Sequence, residues 1–247
     1  MMSQDIVKEC ERILETASRN GVILRLIGGL AIQYHCPSAS HRSLAREYPD
    51  IDFVGLKKQS KMIKKLFLDL GYSPAELFNA LHGGERLLFF GKNERRADVF
   101  LDIFRMCHKF DFRKRLEIDD RTISLEDLLM TKLQIMELNE KDVKDTICLL
   151  KDHEVGDSSG GEVINAQHIA NLCSHDWGIY TTTTENLQRI LSVVDEYQIT
   201  SNEKEIVRSR INKLLNRIEK QPKSTRWKLR SKIGKKVSWY QLPEGRA

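Results

Sequence analysis

Residues 22–32 read VILRLIGGLAI, an apolar run that meets two consecutive glycines and resumes as apolar residues with no loop between. A run of this kind, interrupted only by Arg25, is strand-like; Gly28-Gly29 gives a tight turn in which no Cβ obstructs the backbone, and Leu30-Ala31-Ile32 starts a helix. The chain is therefore constrained to pass from strand to helix through glycine, and the free N–H groups of such a helix start are open to an anion. Ahead of it, Ile6, Cys10, Ile13, Leu14 and Ala17 recur at helical spacing, and Asn20-Gly21 supplies a left-handed stop.

After a polar stretch containing Pro37 and Pro49, residues 51–54 form a second strand, and side-chain alternation puts Asp50 and Asp52 on one face. Residues 57–70 are an amphipathic helix through Met62, Ile63, Leu66 and Leu70, closed by Gly71. Two strand-like runs, 86–90 and 97–104, flank a hairpin turn at Gly91-Lys92-Asn93, and the second places Asp98, Phe100 and Asp102 on one face. Beyond Ser124, a good N-cap, Leu125, Leu128, Leu129, Leu133 and Met136 form a helical stripe that continues through 141–150, and further helices are predicted near 166–173, 184–197 and 203–219. The Gly- and Ser-rich HEVGDSSGGE at 153–162 reads as a linker. The expected organisation is an α/β domain at 1–152 with a small mixed sheet and flanking helices, a linker at 153–162, a helical domain at 163–220, and a basic tail at 221–247 in which Pro222, Trp227, Trp239 and Pro243 show no clear period.

Charge is unevenly spread. Of 40 Lys and Arg, thirteen lie in residues 204–236 against only Glu205 and Glu219 of the 35 acids, so that segment carries +11 and the remainder −6. A polyanion such as RNA would be drawn to that end, where Trp227 and Trp239 are available to stack on bases; the simpler reading is a solvated helix face. Five cysteines without a CxxC pair suggest neither a disulfide framework nor a zinc site. The start MMSQDIVKEC lacks a secretion pattern and no apolar run approaches the roughly 20 residues of a membrane span, so a cytoplasmic protein with no membrane partner is expected.

Three strand aspartates are what a hard divalent cation requires. Two magnesium ions about 4 Å apart clamp the attacking and leaving oxygens of an in-line displacement, and they take carboxylate oxygen rather than sulfur or imidazole. Asp50 and Asp52 stand about 6.6 Å apart along one strand. The third ligand comes from a neighbouring strand, which offers Asp98 and Asp102. Taken singly, each motif is more often a plain turn or the wet face of a strand; their order and context are what point to a site.

The order LIGGLAIQYH, YPDIDFVG, RADVFLDIF resembles the nucleotidyltransferase superfamily of polymerase-beta-like fold, and SLEDLLMTKLQIMELNEKDVKDTICLL at 124–150 resembles helical elements of AbiEii-type and related uncharacterised bacterial nucleotidyltransferases. The resemblance spans roughly residues 20–150, with Gly29 where many relatives have serine. It implies a transferase moving an NMP group from an NTP, ATP among them, to a hydroxyl of an unknown acceptor such as tRNA or protein. Mg²⁺ (or Mn²⁺) would sit on Asp50, Asp52 and Asp98, the β and γ phosphates on Gly28 and Gly29, Lys132 against the triphosphate, and Asp142 or Asp145 would orient a lysine or the ribose. Without it, Lys132 reads as a solvated helix lysine.

Rival readings are a nucleotidyltransferase fold without turnover, serving as a regulatory module or with an antitoxin or other protein partner, and a small-molecule, antibiotic-type transferase. Cys107 and His108, adjacent and so on opposite faces of a strand, are core residues rather than a nucleophile and base, and His35, His41 and His82 lack metal-ligand spacing.

Overall fold

A computed structural model describes residues 2–158 and 161–242. The chain divides into two compact units. The first holds Met1–Tyr34, Glu47–Phe104 and Lys109–Ile123; the second holds His35–Arg46, Arg105–His108 and Ser124–Ala247.

The first unit begins with helix α1 (Met2–Arg19), whose Ile6, Cys10, Ile13, Leu14 and Ala17 are all buried, and Gly21 takes φ +66° just beyond it. Strand β1 (Leu24–Ile27) runs directly into α2 (Gly28–His35). There follow β2 (Ile51–Gly55), α3 (Ser60–Asp69), the two-residue β3 (Ser73–Pro74), α4 (Glu76–His82), β4 (Arg86–Phe90), β5 (Arg96–Leu101), β6 (Ile103–Arg105) and β7 (Lys109–Asp111). Five strands make one sheet in the order β1-β2-β5-β4-β3, antiparallel except for the parallel pair β2 and β5. A parallel pair needs a crossover; here α3, β3, α4 and β4 lie between its two strands.

One face of this sheet is the core. Phe53, Leu87, Phe89, Ala97 and Val99 are fully buried. Phe67 of α3 stacks on Phe89 at 4.4 Å between centroids and meets Phe53 edge-on at 6.2 Å. Alternation along β2, β4 and β5 sends Asp52, Arg86, Leu88 and Asp98 to the opposite face.

One expectation for this unit is corrected. β5 stops at Leu101, because Asp102 turns left-handed at φ +64°, with its N–H on Gly55 O at 2.9 Å and its Oδ1 accepting from the Lys57 N–H at 2.9 Å. Asp102 thus leaves the face it was expected to share with Asp98. β4 and β5 form the expected hairpin, closed by a 3-10 turn at Lys92–Glu94 with Glu94 at φ +56°.

The second unit carries α5 (Leu125–Leu133), α6 (Glu140–Asp152), β8 (Glu154–Gly156), β9 (Val163–Asn165), α7 (Ala166–His175), α8 (Trp177–Val193), α9 (Ser201–Lys220) and α10 (Thr225–Ile233). Helix α9 packs on α6, α7 and α8. It opens with a full capping box, Thr200 with Glu203, and buries Val207, Ile211, Leu214 and Ile218. Ser124 precedes α5, but its hydroxyl donates to Asp127 Oδ2 at 2.8 Å instead of capping a backbone N–H.

The expected linker at 153–162 is structured on both sides. β8 and β9 pair in parallel and bury Val155 and Ile164 at 2% and 0% exposure, while residues 159 and 160 lie outside the described residues. Contacts thin instead near residue 123, so α5 and α6 belong with the later helices. Part of the expected tail is helix α10, whose first turn is capped by Ser224 Oγ accepting from Trp227 N at 3.2 Å; Pro243 and residues 244–247 lie outside the described residues. The whole is an α/β chain with a small mixed sheet, flanking helices and a helical C-terminal region. No helix among the described residues is long and apolar enough to cross a membrane.

Candidate active site

Register, not side-chain preference, assembles the carboxylates. In β2 and β5, Asp52 and Asp98 are direct partners, and in β1 and β2, Ile27 is the partner of Asp52. Because Gly28 follows Ile27, the glycine turn is carried onto Asp52. Gly28 has φ +71°, and a Cβ placed on it would stand 2.9 Å from Asp52 Oδ2. Only glycine meets both demands, a left-handed backbone and a carboxylate against its Cα. Gly29 continues the first turn of α2. Asp50 is half-buried immediately before β2. Asp102, past the end of β5, is four positions from the residue that pairs with Asp52.

Asp98 is 1% exposed, and both its oxygens are taken. Arg86 grips it with two nitrogens, Nε at 2.6 Å from Oδ1 and an Nη on Oδ2, and Arg96 adds a contact to Oδ2 at 2.8 Å. The Arg86 guanidinium lies over Phe100 at 4.8 Å and near Phe78 at 5.5 Å. Among the described residues, no three His, Cys, Asp or Glu side chains converge as a metal set. Asp98 is turned to guanidinium, with Asp52 its register partner on β2. The donors do fit a hard cation in kind, with carboxylate oxygens on a shared face beside a glycine turn.

Arg86 and Arg96 were not foreseen. The signal for Arg96 lies in the sequence, since RAD places it two residues from Asp98 and hence on the same strand face. Arg86 approaches from β4, whose pairing with β5 sets it opposite Phe100, and no local pattern announces that.

Lys132, Asp142 and Asp145 come together in the second unit. Lys132 Nζ lies 2.8 Å from Asp145 and 3.5 Å from Asp142, and Arg46 holds Asp145 with two hydrogen bonds of 2.8 and 2.7 Å. Burial alone would pull the Lys132 pKa down; Asp145 and Asp142 outweigh it and raise it above the ordinary lysine range. For Asp145, burial pushes upward, but Lys132 and Arg46 prevail and hold it below the usual carboxylate range. Helical spacing of three residues on α6 brings both acids to the lysine.

The basic segment is less free than its composition suggests. Arg210 donates to the carbonyls of Leu150 and Lys151 and pairs with Glu154; Lys213 reaches the Val155 carbonyl and Arg217 the Gln167 side chain. Lys223 caps the end of α9 through Ile218 O and Glu219 O, and Arg230 binds Gly234 O and Val237 O. His108 is buried against Thr182 Oγ1 at 2.9 Å, and burial lowers its pKa; Cys107 is buried as well.

No protein-family model and no curated protein matches the sequence. Two solved structures are similar to it in part. The lincomycin-bound lincosamide antibiotic adenylyltransferase LnuA gives a TM-score of 0.39 at 18% identity, over 56% of this chain and 92% of that one. The antibiotic-resistance factor ANT(2'')-Ia gives 0.41 at 12% identity, over 78% of this chain and 97% of that one. Both likenesses are shallow.

Proposed function

We propose that this chain is a divalent-metal-dependent nucleotidyltransferase that moves the NMP group of a nucleoside triphosphate to a hydroxyl. The observation that carries this is the row Gly28, Asp52, Asp98: a left-handed glycine turn at a helix start, packed on a strand carboxylate that is itself in register with a second. In this reading Asp50, Asp52 and Asp98 would hold Mg²⁺, which would supply neutralisation of charge on the phosphoryl centre and leaving pyrophosphate. Gly28 and Gly29 would present backbone N–H groups to the β and γ phosphates, and Asp98, once released by its guanidinium partners, would accept the proton of the attacking hydroxyl. The resemblance to AbiEii-type proteins adds Lys132 as a neutralising charge and Asp142 or Asp145 as the residue that orients it. Contact of both acids with the lysine supports the orienting half.

For the acceptor, RNA, protein and a small hydroxyl-bearing molecule are arms of one test; Arg210, Lys213, Arg217, Lys223 and Arg230 of the basic segment are engaged within their own unit. The test is label transfer from each α-labelled NTP with Mg²⁺ to total RNA, to cellular protein, and to a panel of hydroxyl-bearing antibiotics that includes lincomycin. Label on one class, abolished by Asp50→Ala with Asp52→Ala, is the expected result. Transfer undiminished in that double variant removes these residues from the site, and no transfer to any class leaves a binding module.

A further inference from the structure

Asp98 carries two guanidiniums. A buried carboxylate is satisfied by one bidentate arginine; Arg96 is a second cation on it, one strand from Asp52. The carboxylate is 1% exposed, but the Arg86 and Arg96 side chains are 29% and 40% exposed, so an incoming anion reaches the cations and not the acid beneath them. Among the described residues the Arg96 Nε is buried without an acceptor, so one of its donors is still to be satisfied. Phe100 and Phe78 brace Arg86, which lowers the entropy lost when its planar fork takes a new partner. Two strand spacings, on the order of 10 Å, separate Arg96 from the glycine turn and three separate Arg86 from it, with Asp52 between.

Resting on the nucleotidyl-transfer reading above, we propose that Arg86 and Arg96 are triphosphate ligands: they close on Asp98 in the nucleotide-free protein and pass to phosphate oxygens when a nucleoside triphosphate binds. Phosphate offers the same paired oxygens as carboxylate and more charge, so the exchange keeps every guanidinium hydrogen bond. It also accounts for the side chains as they stand. With Asp52 and Asp98 in register, two bare carboxylates would repel, and the arginines hold the pair together until the nucleotide arrives.

The experiment measures equilibrium binding to the full-length chain, without turnover, of two probes: Mg²⁺ with ATP, GTP, CTP or UTP in turn, and Mn²⁺ alone. The variants are Arg96→Ala, Arg86→Gln and Asp52→Ala, each checked for a cooperative thermal transition. Loss of a charge-assisted contact predicts that Arg96→Ala weakens nucleotide binding by about tenfold or more, while Mn²⁺ alone binds more tightly because Asp98 has one competitor fewer. Opposite signs for the two probes are not produced by loosened packing. Nucleotide affinity within about twofold of wild type in both arginine variants overturns the proposal and makes the pair structural. Should Arg86→Gln not fold, Arg96, whose side chain makes one hydrogen bond to Asp98, carries the test alone. A wild-type chain that binds none of the four nucleotides, or an Asp52→Ala variant that binds metal and nucleotide like wild type, overturns the underlying reading and this proposal with it.

Discussion

At the scale of single residues, Gly28 and Asp145 are the positions where substitution is most informative. Gly28→Ala adds a Cβ at 2.9 Å from Asp52 Oδ2 and forces a non-glycine residue into φ +71°. Strain of about 1–3 kcal/mol is expected from the backbone alone, and the carboxylate must move, so nucleotidyl transfer should fall far more than thermal stability does; the two are read by label transfer and by calorimetry on the same sample. Asp145 is different, since it holds Lys132 and Arg46 rather than a substrate. Its pKa is lowered, so ionised Asp145 stabilises the fold above its ordinary value, and that stabilisation is lost as pH falls through the lowered one. Lys132 is raised, so its share is complete below the ordinary 10.5 and is lost as pH rises through the raised value. Asp145→Asn leaves two cations with one acid fewer and should cost about 3–5 kcal/mol at neutral pH. It should also flatten the acid limb of stability below about pH 4. Urea unfolding across a pH series checks both.

Among elements, β8 and β9 depart most from expectation. If 153–162 were a linker, truncating a side chain beside it would cost little; because Ile164 is fully buried in β9, Ile164→Ala should cost about 2–5 kcal/mol by chemical denaturation. Composition misled here because Gly, Ser and Asp dominate the segment, while its structure depends on Val155 and Ile164 pairing with each other. The same division runs through the molecule. Elements with an unbroken local period were legible: α1, the Gly28 turn, β2, α3 and α9 stand close to where spacing puts them. Helix α8 starts at Trp177, earlier than its apolar period announces, since Asp176 caps Gly178 and Ile179 at 2.7 and 3.0 Å while the run Thr181–Thr184 disguises the helix with β-branched residues. For the site, the aspartates and glycines were legible as a motif. The break at Asp102 was not, because it depends on hydrogen bonds to Gly55 and Lys57, and the engagement of Asp98 by Arg86 depends on a strand pairing that spacing does not encode.

For the whole molecule, the placing of α6 with the later helices changes what a viable fragment is. A chain ended at residue 152 retains α6 but discards α9 and β8, on which α6 packs. It bares apolar surface and should elute as aggregate or melt without cooperativity, in contrast to the full chain, by size exclusion and calorimetry. The parallel pairing of β2 with β5 has a further consequence. Asp52 and Asp98 are partners 46 positions apart, joined only after everything from α3 to β4 has been made. Such distant pairings form slowly. During translation, β2 waits unpaired on that side until Leu101 has left the ribosome, so a stalled or prematurely terminated chain never brings its acids side by side.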